Sequence, residues 1–478
     1  MAYSLNAVGP SPVTTNSGLG VSAVRVFPLT PPLSTSPASP PNQRPLSLGV
    51  IFLTLYIDLI GFSIFFPLGP ELLKYYVAHE SKTGLFATLI GQLETLAHAA
   101  QASNTAVAAL FAGALGSLYS LMQFVFSPIW GARSDRIGRR RVLLTTIAGS
   151  AGSYLLFVFS GSFVLFFVSR ILGGIMGGNL SVAIAAVSDV TTRENRAKGM
   201  GIVGVAFGLG FLTGPIIGGL TAHVNLLQRW PGLATWGLHP FSVPALIAFS
   251  LCVLNLLWVA VRFRETLPVE RRGVGVTLRE RNPLRALFTL PNATIRRTNV
   301  VGFLLVFSFS FFETTISFFT ADKLDYNAHQ LTWVFVYLGI TSILTQGLLV
   351  RRAVPAFGEK KVAIAGIATV ALGFIGLGLA VGVARSAPLM FTALTFCAIG
   401  SGCANVALGA LVSLYASPEE QGKVTGIFRS LGFLARAASP VVAGFLFFRF
   451  GGTVTFATAG ALLVIPFTLG LSLPQPQK

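Results

Sequence analysis

Long apolar runs constrain this chain before any motif does. Twelve stretches are each long enough to cross a bilayer, which takes about 20 residues: roughly 48–73, 107–130, 140–160, 162–188, 197–221, 240–262, 298–320, 330–350, 361–383, 388–416, 423–447 and 453–474. The expected class is an all-α integral membrane protein with 12 transmembrane helices. Composition agrees. Only 34 Lys/Arg and 16 Asp/Glu occur in 478 residues, so 10% of the chain is charged, where a soluble domain carries about 25%. Hydrophobic residues make up 53%, and 40 are Phe. These residues cannot supply the polar surface that a soluble enzyme of this length needs. Cys252, Cys397 and Cys403 all lie inside apolar runs. An odd number of such thiols is no disulfide framework and no metal cluster, and they read as small core hydrophobes.

Between the runs, linkers are short except at three places: an N-terminal arm (1–45), the connection 76–106, and the basic linker 263–297. The arm holds nine Pro, seven Ser and four Thr, no acidic residue, and only Arg25 and Arg44 as charges. Such a composition stays disordered. It lacks the apolar core of a secretory signal, and its sparse Arg weakens the likeness to an organellar transit peptide. The basic linker divides the chain into six-helix bundles at 46–262 and 298–474. The net charge of +18 is spread over short loops rather than along one soluble face, so no nucleic-acid partner is expected. Loops on the starting side, with both termini, carry 25 Lys/Arg. The other side carries six: Lys74, Lys82, Arg229, Lys323, Arg385 and Arg449. That asymmetry predicts cytosolic termini. Trp230 and Trp236 read as interfacial anchors.

The two halves repeat. GGN at 177–179 returns as CAN at 403–405, an offset of 226 at the Asn; GPIIGG from Gly214 returns as SPVVAG from Ser439, an offset of 225; and GRRR from Gly138 returns as GEKK from Gly358, an offset of 220. Parallel halves of this kind are a transporter architecture whose substrate site lies at the midplane between them.

Between helices 2 and 3 the chain reads GARSDRIGRRR, from Gly131 to Arg141. Gly131 is expected at a tight turn, with Asp135 four residues on and then Arg136, Gly138, Arg139 and Arg140. This loop resembles the signature G-x-x-x-D-R-x-G-R-R of the major facilitator superfamily. The physical logic is a cytosolic latch, in which Asp135 accepts from the positive end of a facing helix and Arg139 pairs with Asp189 at the inner end of helix 4. Helix 5 reads GIVGVAFGLGFLTGPIIGG. Gly204/Gly208, Gly210/Gly214 and Gly214/Gly218 are GxxxG pairs that allow close backbone approach, and Pro215 removes one helical hydrogen bond. This segment is similar to the antiporter motif of the drug:proton antiporter branch. IDLIGFSIFFPLGPELL and LYSLMQFVFSPIWGARSDRIGRRRVLL look like bacterial tetracycline antiporters. SRILGGIMGGNLS, ETLPVERR, FETTISF and FRSLGFLARAASP look closer to eukaryotic tetracycline-transporter-like facilitator proteins, which are linked to organic anion efflux. The likeness covers nearly all of 48–474. It implies the major facilitator fold with two pseudo-symmetric halves. The extra acidic residues of tetracycline antiporters on helices 3 and 9 fall near Ser153 and Thr369 here, so the resemblance does not assign a substrate.

Five ionisable residues lie inside expected helices, where charge is costly and usually functional: Asp58, Arg170, Glu313, Arg429 and Arg436. Arg429 and Arg436, seven apart, share one helix face about 10 Å apart. Three positive groups against two negative favour an anionic substrate. Asp58 or Glu313 is the expected proton carrier, with Arg170, Arg436 and Arg429 in the substrate cavity beside Gln123, Asn179, Gln346 and Asn405. The competing structural role is internal ion pairing, Asp58 with Arg170 for example, and for Arg429 simple snorkelling to the interface. The Phe-rich helix 7 supplies core, lipid-facing surface or an apolar pocket wall.

No GxxxxGK[ST] phosphate loop is present for an ATP-driven pump, and the five His lie in loops or at helix ends, which disfavours an intramembrane metalloenzyme. The expectation is a secondary transporter, not an enzyme. It would act as a monomer in a plasma membrane or endomembrane, with a small organic solute and protons as partners, no metal or other cofactor, and the proton gradient as energy source. The alternatives are a proton-independent facilitator or anion exchanger and, in another class, a non-transporting receptor on the same fold.

Overall fold

The computed structural model describes residues 48–79, 88, 91, 104–191, 196–272, 292–416 and 421–475. The arm, most of the 76–106 connection and residues 273–291 of the central linker lie outside these. Among the described residues the chain is all helical, with no strand.

Proline and glycine punctuate the spans. Span 1 runs Leu48–Ser63, tightens into a 3-10 turn at Phe66–Leu68 with Pro67 at its start, and continues as Gly69–His79. A prolyl nitrogen has no N–H to continue the helical ladder, so the change of winding falls where the sequence reads FPLGP. Span 2 is Asn104–Ile137 and span 3 is Arg139–Val158. Span 4 is broken at Gly177–Gly178 into Phe163–Met176 and Asn179–Val190. Spans 5 and 6 are Arg196–Thr221 and Ser242–Arg262. Span 7 is Ala293–Leu324, and span 8 is Ala328–Leu344, a π-helical stretch Thr345–Val350 and Arg351–Phe357. Spans 9 and 10 are Glu359–Gly382 and Ala387–Tyr415. The final apolar run, Val424–Leu471, has 48 residues, roughly 70 Å of helix at 1.5 Å per residue and twice what a bilayer accepts. Gly451 divides it at φ 78°, ψ 172°, giving spans 11 and 12 and twelve among the described residues.

The duplication is also written in the backbone. Gly138 (φ 99°, ψ 153°) precedes span 3 and Gly358 (φ 81°, ψ 156°) precedes span 9. Both hold a conformation that L side chains rarely adopt. The turn therefore falls at Gly138. Gly131, expected at a tight turn, lies inside span 2 with its carbonyl accepting from Ser134 Oγ at 2.7 Å.

Packing differs between the two ends of the bundle. At the end opposite the Gly131–Arg141 segment, the halves share one apolar core: Leu68, Leu72, Tyr76, Phe111 and Phe163 join Phe318, Phe319, Phe335 and Phe447. There Ser317 Oγ donates to the Phe66 carbonyl at 3.1 Å, and the Val441 N–H to Ser117 Oγ at 3.0 Å. Gly113 abuts the Pro440 carbonyl, Gly219 meets Thr332, and Gly444 meets Ala109 and Leu110. At the other end the buried cores of the described residues are separate, one around Val142, Leu143, Val187 and Val259 in the first half, with Phe433 of span 11 against it, and one around Ile295, Val412 and Val424 in the second. Among the described residues the halves are thus packed together at one end, the sealed end, and hold separate cores at the other, the parted end.

Candidate functional site

The parted end carries a network centred on Arg139, whose side chain is 8% exposed. Its guanidinium donates to Asp135 at 2.5 Å through Nη1 and to Asp189 at 3.0 Å through Nε, with Ser134 Oγ also at 2.5 Å from Nη1. Arg140 Nη2 donates to the Ala260 carbonyl at 2.6 Å, while Arg136 is exposed. Sequence reasoning missed the partner at the head of span 3. Glu265 accepts the backbone N–H of Arg139 at 2.8 Å and of Arg140 at 3.3 Å, and those of Thr266 and Leu267 at 3.1 and 3.2 Å. Arg272 lies 3.8 Å from it. Span 3 opens on Gly138, which has no side chain to cap the first N–H groups, so a carboxylate from 126 residues away takes that place. A cap is worth ~1 kcal/mol, and an anion at a helix N-terminus up to ~2 kcal/mol in partly buried settings. Thr266 Oγ1 donates to Asp189 at 3.1 Å, closing the network.

The glycines of span 5 divide into two sets. Gly210, Gly214 and Gly218 lie against span 1. A methyl group at 210 would press on Leu59 Cβ, at 214 it would overlap Ser63 Oγ and stand 2.8 Å from the Ile60 carbonyl, and at 218 it would overlap the Ile64 carbonyl. Ser63 Oγ donates to the Gly210 carbonyl at 2.9 Å across that seam. Gly204 and Gly208 do not share it. Among the described residues nothing lies within 4 Å of a methyl built at Gly204, and one at Gly208 has only Gln346 Nε2 nearby, at 3.9 Å. The first GxxxG pair therefore forms no packing seam among the described residues. Pro215, inside the span, lacks the N–H that would bond the Phe211 carbonyl.

At mid-span the five charges fall into different settings. Glu313 and Arg436 form an ion pair at 3.2 Å between spans 7 and 11. Phe211, from the opposite half, lies over the guanidinium at 5.3 Å. Asp58 is not paired with Arg170. It accepts a hydrogen bond from Asn179 Nδ2 at 3.1 Å and has no ion-pair partner among the described residues. Asn179 is held at the first turn after the glycine break in span 4, 3% exposed. Arg170 sits among the faces of Phe65, Phe157 and Phe166, at 4.6, 5.2 and 5.5 Å. Arg429 has no hydrogen bond or ion pair among the described residues.

The neutral polar groups are largely committed within the helix bundle. Gln123 donates to the Gly177 carbonyl at 2.9 Å, satisfying an acceptor freed by the break in span 4. Asn405 is exposed and donates back to Ser401 of its own helix at 3.0 Å. Gln346 lies in the π-helical stretch between Gly208 and Gly402. Ser153 is buried and donates to the Ser169 carbonyl at 3.0 Å. Phe311 and Phe312 of span 7 are core, 1% exposed each. An aromatic cluster not foreseen from the sequence joins the halves. Phe62 contacts Tyr119, Phe66 and Phe211 at 5.3–5.8 Å, and Phe66 reaches Phe335 of span 8 at 6.1 Å.

Two six-helix halves, with a charged clasp at the parted end and ionisable groups at mid-span, define a membrane transporter of the facilitator type. The chain belongs to the major facilitator superfamily: the family model described as Major Facilitator Superfamily matches residues 51–354 and again 298–478. Major facilitator superfamily domain-containing protein 10 of Homo sapiens is 33% identical over 465 residues, covering 92% of this chain and 95% of the human protein. Tetracycline resistance protein, class C, of Escherichia coli is 28% identical over 397 residues, covering 83% and 88%. The crystal structure of the human organic anion transporter MFSD10 (TETRAN) matches with a TM-score of 0.72 at 31% identity, covering 88% of this chain and 98% of that one.

Proposed function

We propose that this facilitator is a proton-coupled antiporter for small amphiphilic organic anions, with both termini on the cytosolic side. The observation that carries it is the Glu313–Arg436 pair at mid-span, capped by a ring from the other half. An arginine held by a carboxylate is an anion site occupied by its own competitor. Protonating Glu313 releases the guanidinium, which can then hold a substrate carboxylate or sulfonate through paired N–H donors; deprotonation reclaims it and expels the substrate. Because Phe211 belongs to the half opposite Arg436, rocking of the halves uncovers the guanidinium and couples that exchange to access. Asp58 offers a second, different step. Its partner is an amide, so taking up a proton there removes a charge without breaking an ion pair.

The kinship with a human organic anion transporter supports an anionic substrate, and the tetracycline resistance relatives support efflux of amphiphiles. The aromatic cluster around Phe62, Tyr119 and Phe211 gives an apolar body of such a substrate a stacking surface beside the charge. The test is uptake of a panel of aryl sulfonates into proteoliposomes under an imposed pH gradient. Sulfonates stay ionised, so the gradient cannot drive them through lipid as neutral acids. Wild type is expected to concentrate at least one of them. Full gradient-driven uptake in both Asp58→Asn and Glu313→Gln would refute the coupling scheme.

A further inference from the structure

Arg170 differs from every other mid-span charge in what surrounds it. The guanidinium lies at 4.6–5.5 Å from the centroids of three rings. Ring faces attract a cation but leave its in-plane N–H groups without acceptors. Arginine carries five such donors in a fixed fork, and none of them has an acceptor among the described residues. Nε is sealed from solvent with no partner, while the residue as a whole keeps partial exposure. Asp58, the acidic residue of span 1, is engaged by Asn179 instead. Tyr119 and Tyr154 lie within electrostatic reach of both charges. A guanidinium out of bulk water with no counter-charge is among the costliest arrangements a protein interior can hold.

The fold fixes the arginine in this place. Ser162 caps the first helix of span 4 by accepting from the Val164 N–H at 3.2 Å. Ser153 of span 3 bonds the Ser169 carbonyl at 3.0 Å, and Gly173 and Gly174 bring the next turn against Tyr119 of span 2. Span 4 is thus anchored on both sides of Arg170.

We infer that Arg170 is a binding site for a single monovalent anionic group, held edge-on by its N–H fork within the wall of Phe65, Phe157 and Phe166. The assignment rests on the anion-transport function proposed above. Arg436 is occupied by Glu313, whereas Arg170 has no acidic partner to displace among the described residues, so it takes an anion without any prior proton transfer. A free inorganic halide and the carboxylate of an organic substrate share the chemistry this site recognises.

The experiment is ligand-induced stabilisation of the purified full-length chain in detergent. Bromide and, separately, benzoate are titrated to 100 mM at constant ionic strength, and the unfolding midpoint is read by intrinsic fluorescence. No gradient and no transport enter the measurement, so its outcome is independent of proton coupling. Wild type is expected to show a saturable rise in midpoint with at least one anion. Bromide alone marks the site as a halide site, and benzoate alone as a carboxylate site. Arg170→Gln is expected to abolish the rise, while Arg449→Gln, which removes an exposed arginine, keeps it. If Arg170→Gln does not fold, Arg170→Lys decides. It retains the charge but not the fork, so the apparent Kd is expected to rise at least threefold, and an unchanged Kd overturns the assignment. A rise that survives Arg170→Gln overturns it too, as does the absence of any rise in wild type. A rise that survives Arg170→Gln but is lost in Arg436→Gln overturns it while leaving the Arg436 scheme standing.

Discussion

Gly113→Ala should open the sealed end of this transporter. Gly113 of span 2 is buried against span 11, and a methyl group there would overlap the Pro440 carbonyl oxygen and stand 3.2 Å from its carbon. These are backbone atoms, so no rotamer change relieves the overlap and the two spans must separate. Overpacking of this kind costs ~1–3 kcal/mol. It burdens only the conformation in which spans 2 and 11 touch. The gain in helix propensity from Gly to Ala, about 1 kcal/mol, is the same in both conformations and cancels. The population ratio should therefore move about 5- to 150-fold toward opening at the sealed end. The control lies one turn on, where a methyl at Gly116 would sit 3.9 Å from Pro440 Cβ, an ordinary contact. Spin-label distances would read the shift, with one pair at Ser162 and Arg385 for the sealed end and one at Arg141 and Lys361 for the parted end. The three native cysteines are buried and would remain unlabelled. Gly113→Ala should lengthen the first distance and shorten the second, while Gly116→Ala matches wild type. A folded Gly113→Ala protein with wild-type distributions would refute the reasoning.

Three further outcomes follow from the same geometry. Glu265→Ala should lower stability by ~1–2 kcal/mol through loss of the span 3 cap, read as faster amide exchange at Arg139 and Arg140 and a lower unfolding midpoint, with Glu265→Gln intermediate. Gly204→Ala and Gly208→Ala should fold and transport like wild type, whereas Gly214→Val and Gly218→Val should fall sharply in folded yield, because only the latter pair meets span 1. His239, outside the spans and 1% exposed, accepts the Phe241 N–H on Nδ1 at 3.3 Å and lies 3.0 Å from the Phe157 carbonyl through Nε2. Burial pushes its pKa down to about 4, with the Phe157 bond opposing. The unfolded chain takes up a proton below about pH 6.5 that the folded chain refuses until about pH 4. Its contribution is thus intact above pH 6.5 and is lost as pH falls toward 4, by ~3 kcal/mol in all. Melting curves across that window should be flatter for His239→Gln.

The spans were legible because lipid enforces one rule on every backbone group, and the duplication because Gly138 and Gly358 must both hold a positive φ. The pairing of Arg139 with Asp189 was legible too, whereas Asp135, expected to accept from a facing helix end, accepts from Arg139 one turn on. Glu265 was not. It stands in ETLPVERR among arginines, and nothing local says that its carboxylate turns back to cap a helix 126 residues earlier. Hydrophobic and glycine patterning likewise gave no means of dividing Gly204 and Gly208 from Gly210, Gly214 and Gly218, because which face meets span 1 depends on helix rotation. Charge counting found all five mid-span groups, yet it could not tell that Glu313 holds Arg436 while Asp58 turns to Asn179 rather than to Arg170. Those pairings depend on ångström-scale placement across helices far apart in sequence.

The central claim is that proton movement through mid-span carboxylates drives anion exchange across this fold. The most direct measurement compares two modes in the same proteoliposomes for wild type and the double variant Asp58→Asn/Glu313→Gln: net uptake of an aryl sulfonate driven by a pH gradient, and exchange of labelled for unlabelled anion at equal pH. The account predicts that the variant loses gradient-driven uptake and keeps exchange, since binding and rocking persist while the proton step is gone. Undiminished gradient-driven uptake, or equal loss of both modes, would contradict it.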